Sequence, residues 1–189
     1  MPVADNNSLA YIIVESEEGS FRGAVLASDL RGIPVDFRYT EPIRPTKLEK
    51  VLYGSALEVY IKEELILESL VGAVEVKPAL WICKEQNLLM PLRTFTKNKV
   101  IMLMNSNHQP LDSTGDFELA GENGVYLVQA DAVSAPLKIV FHSNVTENEV
   151  KSVVNLLVNA SQTMELTEPF SRMQKALNAI ALEAQSDGK

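Results

Sequence analysis

The stretch "SLAYIIVES", residues 8–16, decides the fold. It is a continuous apolar run of strand length, rich in β-branched residues, with no polar position on either face between Leu9 and Val14. A strand with that pattern needs cover on both sides, so it is predicted to lie centrally in a sheet with helices above and below. Working outward, "EEGS" (17–20) offers a tight turn and "FRGAVLAS" (21–28) is a second buried run. After "DLRG" comes "IPVDFRYT" (33–40), which alternates, with Ile33, Val35, Phe37 and Tyr39 on one face and Pro34, Asp36, Arg38 and Thr40 on the other. Three successive strands joined by short turns predict an antiparallel meander.

Pro42 and Pro45 end the third strand, because proline cannot donate to a sheet ladder. Pro45 is placed to open a helix over "TKLEKVLYG", with Leu48, Val51 and Leu52 on one side and Gly54 at its end. Ser55 and Glu58 have capping-box spacing, which predicts a second helix or a kinked continuation through "SALEVYIKEELILESLVG". Its apolar stripe is Leu57, Ile61 and Leu65, widened by Ile66 and Leu70. "ALWICK" (79–84) and "KVIMLMN" (99–105) read as two further buried strands. Residues 86–98 between them fit either a helix or an edge strand; a helix is favoured, because two near-continuous apolar strands want cover on both faces.

A polar excursion follows, "SNHQPLDSTGDFELAGEN" (106–123), longer than most connections in compact domains. Beyond it, "GVYLVQADA" and "APLKIVFH" read as strands. "VTENEVKSVVNLLVNAS" is the clearest helix of the chain. Thr146 and Glu149 form a capping box, and Val150, Val153, Val154, Leu157 and Val158 fill one face. "EPFSRMQKALNAIALEA" is a second amphipathic helix. The expected fold is therefore α/β or α+β. It has a single mixed sheet starting with a three-stranded antiparallel meander, helices on its faces and two C-terminal amphipathic helices. The expected organisation is a disordered N-terminus over 1–8, one globular domain over 9–183 and a disordered tail over 184–189.

Several function classes are excluded or disfavoured at this level. The net charge of −8 works against a polyanionic partner, since affinity for nucleic acid rests on cationic contacts to phosphate. Nucleic acid is accordingly not the expected partner, although residues 21–50 carry six cations against four acids. The lone Cys83 excludes an intramolecular disulfide and a cysteine-rich zinc site. His108 and His142 are the only histidines, too few for a histidine-rich metal centre. No phosphate-cradling glycine loop, dinucleotide fingerprint, zinc signature or nucleophile elbow is present. No signal peptide and no run of membrane-spanning length is seen, so no membrane association is expected and the location expected is the cytoplasm of a bacterium.

The element order, three strands, helix, strand, helix, strand, resembles the arrangement of the RNase H-like fold. Nucleases of that class hold two metal ions about 4 Å apart with carboxylates from separate elements, one of them near the middle of the first strand. That position falls in "AYIIV", which has no acid. The nearest candidates for catalysis are Glu15 at the strand exit, Glu64 on the long helix and Glu85 after "LWICK". The other candidate site is the polar face of residues 33–40 and its exit, with Asp36, Arg38, Tyr39 and Arg44 as anchors for a protein partner, arginine and tyrosine being frequent interface hot spots. The reading expected from these residues is a non-catalytic cytoplasmic interaction or regulatory protein without a metal or cofactor. The alternative is a divalent-metal-dependent hydrolase or nuclease with an RNase H-like fold. A small-molecule sensor domain is a third reading, since a mixed sheet with a long loop forms pockets.

Overall fold

The computed structural model describes residues 7–186. Of the ends expected to be loose, residues 1–6 and 187–189 lie outside the described residues, Ser8 is buried in the first strand, and residues 184–186 are helical.

One mixed eight-stranded sheet organises the chain, in the order β3-β2-β1-β4-β5-β8-β7-β6. β1 (Ser8–Glu17), β2 (Ser20–Asp29) and β3 (Pro34–Tyr39) form the antiparallel meander. β4 (Leu80–Cys83) runs parallel to β1, with Ile12 opposite Cys83. β5 (Lys99–Met104) runs parallel to β4, with Cys83 opposite Met102. β6 (Phe117–Leu119), β7 (Val125–Val128) and β8 (Leu137–Val140) complete the sheet in antiparallel fashion.

Both faces of β1 are sealed, as its apolar run demands. On one face Leu9, Tyr11 and Ile13 pack with Leu80, Ile82, Ile101 and Leu103 beneath α5 (Glu147–Ser161) and α6 (Glu168–Ser186). On the other, Ala10, Ile12 and Val14 meet Trp81, Cys83 and Met102 beneath the helical segments between β3 and β5. These are α1 (Lys47–Tyr53), a 3-10 turn (Gly54–Ala56), α2 (Leu57–Tyr60), a π-helical stretch (Ile61–Glu68), α3 (Ser69–Ala73) and α4 (Leu89–Phe95). The ambiguous residues 86–98 thus carry a helix, preceded by a 3-10 turn over Gln86–Leu88. No helix among the described residues is long and apolar enough to cross a membrane.

Local signals were partly redirected. The Thr146–Glu149 capping box forms with both reciprocal bonds. An identical box at Thr46 and Glu49, rather than Pro45, starts α1. Ser55 caps nothing, because it sits inside the 3-10 turn. The expected stripe of Leu57, Ile61 and Leu65 is broken by the π-helical stretch. Its i→i+5 bonding widens each turn, so Ile61 is followed onto the core by Ile66 and Leu67, and Leu65 is left 36% exposed. α1 buries none of its residues: Leu48, Val51 and Leu52 are 66%, 80% and 71% exposed. The long polar excursion contributes β6 and is pinned by buried Gln129. Its side chain accepts from the Leu111 amide and donates to the carbonyls of Asp131 and Ser134.

Two expected outcomes follow from this packing. At Gly23 on β2, an added Cβ would overlap the Ile66 side chain and lie 3.0 Å from both the Ile13 carbonyl and Leu70 Cδ1. Gly23→Ala should therefore destabilise the chain by about 1–3 kcal/mol in urea unfolding, as overpacking does; an unchanged midpoint would mean that the helical segment is not seated on β2 as described. The Tyr11 hydroxyl is buried without a hydrogen-bond partner, and burial, reinforced by Glu165, pushes its pKa well above 10.0. The folded chain then keeps a proton that the unfolded chain loses, so stability falls as pH rises past about 10. Tyr11→Phe should flatten that alkaline loss, read from unfolding at pH 8 and 11. Near neutrality it should change stability by no more than about 1 kcal/mol, because no hydrogen bond is lost. Parallel alkaline curves for the two proteins would contradict it.

Candidate functional site

Parallel pairing brings the carboxyl ends of β1, β4 and β5 to one edge of the sheet, and in open α/β sheets the crevice outside those ends is where ligands bind. A cavity of about 260 Å³ opens here, between the ends of β4 and β5 and the first turns of α6. Leu103, Met104 and Phe170 form its apolar floor and wall. Lys84, Asn105, Thr167, Ser171 and Gln174 supply its polar groups, and no carboxylate lines it. The sequence places them simply. Lys84 is the first residue past β4 and Asn105 the first past β5, while Thr167, Phe170, Ser171 and Gln174 recur at helical spacing on one face around the start of α6. Phe170 is held edge-on against Tyr11, ring centroids 5.4 Å apart, so the wall of the cavity is fixed by the central strand.

Further along the same edge, α6 reaches β1 and β2. Arg22 donates to the Glu15 carboxylate through Nε at 3.2 Å and Nη2 at 3.0 Å, and Nη2 also donates to Asn178 Oδ1 at 2.6 Å. Glu15 is thus engaged by a guanidinium. Glu64 is exposed on the π-helical stretch, in the helical layer that covers the opposite face of the sheet from α6. Glu85 is exposed just past β4, where its carbonyl accepts from the Cys83 thiol at 3.5 Å. Burial pushes that thiol up to about 12, which makes Cys83 an inert core residue. Among the described residues, no three His, Cys, Asp or Glu side chains come together in a way that would hold a metal ion. The residues present therefore do not fit a two-metal centre. The mid-strand position is occupied by buried Tyr11, Ile12 and Ile13.

The polar face of β3 is also accounted for by neighbours within the chain. The Asp36 side chain is only 9% exposed; it accepts from Arg38 Nε at 2.7 Å and from the Glu75 amide at 2.9 Å. Arg38 Nη2 lies 3.0 Å from the Glu75 carboxylate. The apolar face is the more open one: Ile33, Val35 and Tyr39 are 43–49% exposed, and Tyr39 stacks on Phe37 at 5.9 Å. Arg44 is exposed and makes no ion pair among the described residues. The cavity residues Lys84, Asn105 and Gln174 were not singled out from the sequence. The available signal was positional: each of the first two is the first polar residue after a continuous apolar run, Leu80–Cys83 and residues 100–104.

No protein-family model matches the chain, and no curated protein matches it in sequence. Its structure is similar to solved nucleases. Endonuclease V from Bacillus subtilis matches with a TM-score of 0.57 at 11% identity, over 95% of this chain and 83% of that one. Endonuclease V from Streptomyces avermitilis matches with a TM-score of 0.55 at 15% identity, over 98% and 85%. The Ciona intestinalis enzyme, solved with a 24mer DNA containing an inosine followed by a ribo-adenosine, matches with a TM-score of 0.52 at 12% identity, over 92% and 87%. These likenesses correct two expectations, that of a non-catalytic interaction or regulatory protein and that of a partner other than nucleic acid. The chain shares its fold with these endonucleases, in keeping with the arrangement that the element order suggested, and has an RNase H-like α/β fold.

Proposed function

We propose that this protein acts on nucleic acid, with a nucleotide of its substrate held at the carboxyl ends of β4 and β5. The observation that carries the reading is the cavity there. It combines an apolar floor of Leu103, Met104 and Phe170 with an ammonium group, two amides and two hydroxyls, and it has no carboxylate in its lining. An apolar surface ringed by a few convergent polar groups suits a base and its phosphate, since Lys84 complements phosphate and the amides of Asn105 and Gln174 can pair with a base edge. The whole-length likeness to endonuclease V supports the same choice of ligand. The reading involves no metal ion, because the carboxylates of the described residues do not converge. A cytoplasmic setting agrees with this ligand and with a lone, reduced Cys83.

The reading is tested by titrating the protein with a labelled 24mer DNA, with and without inosine, at low salt. Binding is expected, and Lys84→Ala should weaken it about tenfold, the worth of one charge-assisted hydrogen bond. Lack of binding to either strand at low salt would overturn the assignment. Mg²⁺ or Mn²⁺ should be dispensable for binding and should give no saturable rise in melting temperature. A saturable rise that disappears in Glu15→Gln or Glu85→Gln would instead restore the metal centre.

A further inference from the structure

The cations of this acidic chain are unevenly distributed. At the end of the sheet away from Lys84, the amino ends of β4 and β5 meet α5 and α4 in two adjoining depressions of about 790 and 160 Å³ that share Lys97, Asn98 and Lys99. Lys77 and Lys151 line the larger, Arg93 and His142 the smaller. Among the described residues, Lys77, Arg93, Lys97 and Lys99 form no ion pair. Lys151 is paired with Glu147 at 2.6 Å. The one carboxylate in the lining of the two depressions, Glu149, is turned back into its capping box, accepting from the Thr146 amide and hydroxyl at 2.8 Å each.

Two of these cations are also held in place. Arg93 Nη1 donates to Ser143 Oγ at 2.7 Å, Lys99 Nζ donates to Ser152 Oγ at 2.6 Å, and Asn98 is tied to the Pro78 carbonyl at 2.5 Å. Neutral hydroxyl partners fix the Arg93 and Lys99 side chains, whose charge is offset only by the field of the nearby Glu149 carboxylate. Asn148, Asn155 and Asn159 line the same groove along α5 and offer amide donors. Where the groove meets the loop bearing Asp112, Asp116 and Glu118, the sign of the field reverses, which closes that end to an anion.

We propose that this groove is a second nucleic-acid contact, a track for backbone phosphates. It rests on the reading that the protein acts on nucleic acid and adds where the strand is gripped beyond the Lys84 cavity. The two contacts are separated by the length of β5, roughly 20 Å. A strand engaged at both ends of the sheet is held by charge at one and by base and phosphate contacts at the other. The groove term is independent of sequence and strongly dependent on salt.

The test is the salt dependence of binding to a single-stranded 24mer DNA. Each phosphate neutralised adds about 0.7 to the slope of log affinity against log salt for a single strand. The triple variant Lys77→Ala, Lys97→Ala, Lys99→Ala should therefore flatten the slope by about 2. Lys47→Ala with Lys50→Ala, on exposed α1, should leave it unchanged. Melting curves check that each variant is folded, and Lys77→Glu with Lys97→Glu, both at exposed positions, serves should the triple variant be unstable. An unchanged slope in a folded groove variant, with Lys84→Ala still weakening binding, would overturn the groove alone. Absence of binding by the unmodified protein would overturn both readings. Pyrophosphate bound in the groove and not displaced by the 24mer would mark a site for small phosphorylated ligands and overturn the proposal.

Discussion

The sealing of β1 on both faces is the constraint from which the architecture follows. Leu9 to Val14 carry no polar side chain other than the phenol of Tyr11, and every one of them is buried. A strand so apolar has no stable place at an edge or against water, so helices must cover both sides. Parallel pairing with β4 then requires a long crossover, and the chain supplies it as the helical segments from Lys47 to Ala73. The same pairing places the ends of β1, β4 and β5 together. The cavity at Lys84 and Asn105 is thus a product of the strand that the sequence makes most apolar, although no residue of that strand lines it. The strand also limits the chemistry, because a carboxylate placed among Tyr11, Ile12 and Ile13 would pay a desolvation cost that nothing nearby offsets.

Charge is organised by position rather than by sum. A net charge of −8 describes the far field, which repels polyanions, but binding is decided within about a Debye length of the surface. Acids cluster on the loop after β5 and at the start of α5, and several are spent locally. Glu49 and Glu149 are held below the usual carboxylate range by the Thr46 and Thr146 groups they cap, and Glu147 by Lys151. Among the described residues the cations of the groove other than Lys151, which is paired with Glu147, have hydroxyl partners or no ion pair. A total taken over the sequence weighs all of these equally, and this is how the likeness to nucleases came to contradict an inference drawn from composition.

Most of the strands were legible because their signals are collective. Continuous or alternating apolar runs at β1 to β5, β7 and β8 leave few alternatives, and the capping box at Thr146 sits beside a strong stripe, so two signals agree. Where one signal stood alone the result was mixed. Ser55 and Glu58 have the right spacing but are overridden by the 3-10 turn, while Thr46 and Glu49, with the same spacing, cap α1. The phase of the long helix was not legible, because a wide π-helical turn is selected by what it packs against, here β2 at Gly23, and not by propensity. The candidate acids were found by element, yet three acids at the right elements do not converge when one is paired to Arg22 and another lies across the sheet. The Lys84 cavity needed the register of β4 with β5, which no local pattern contains.

The arm around α1 has a further consequence. Its seven residues are too few to be helical by themselves, and none is buried; the Thr46 box caps it from within, and the stack of Tyr53 on Tyr60, with centroids 4.8 Å apart, ties it to α2. Leu48, Val51 and Leu52 therefore form an apolar surface whose exposure the protein tolerates in part because like-charged molecules keep their distance. Added salt shortens that repulsion from about 10 Å at 0.1 M to about 3 Å at 1 M and leaves the apolar attraction intact. Colloidal stability and affinity for phosphate thus respond to ionic strength in the same direction: dilute salt favours both a dispersed protein and an occupied groove.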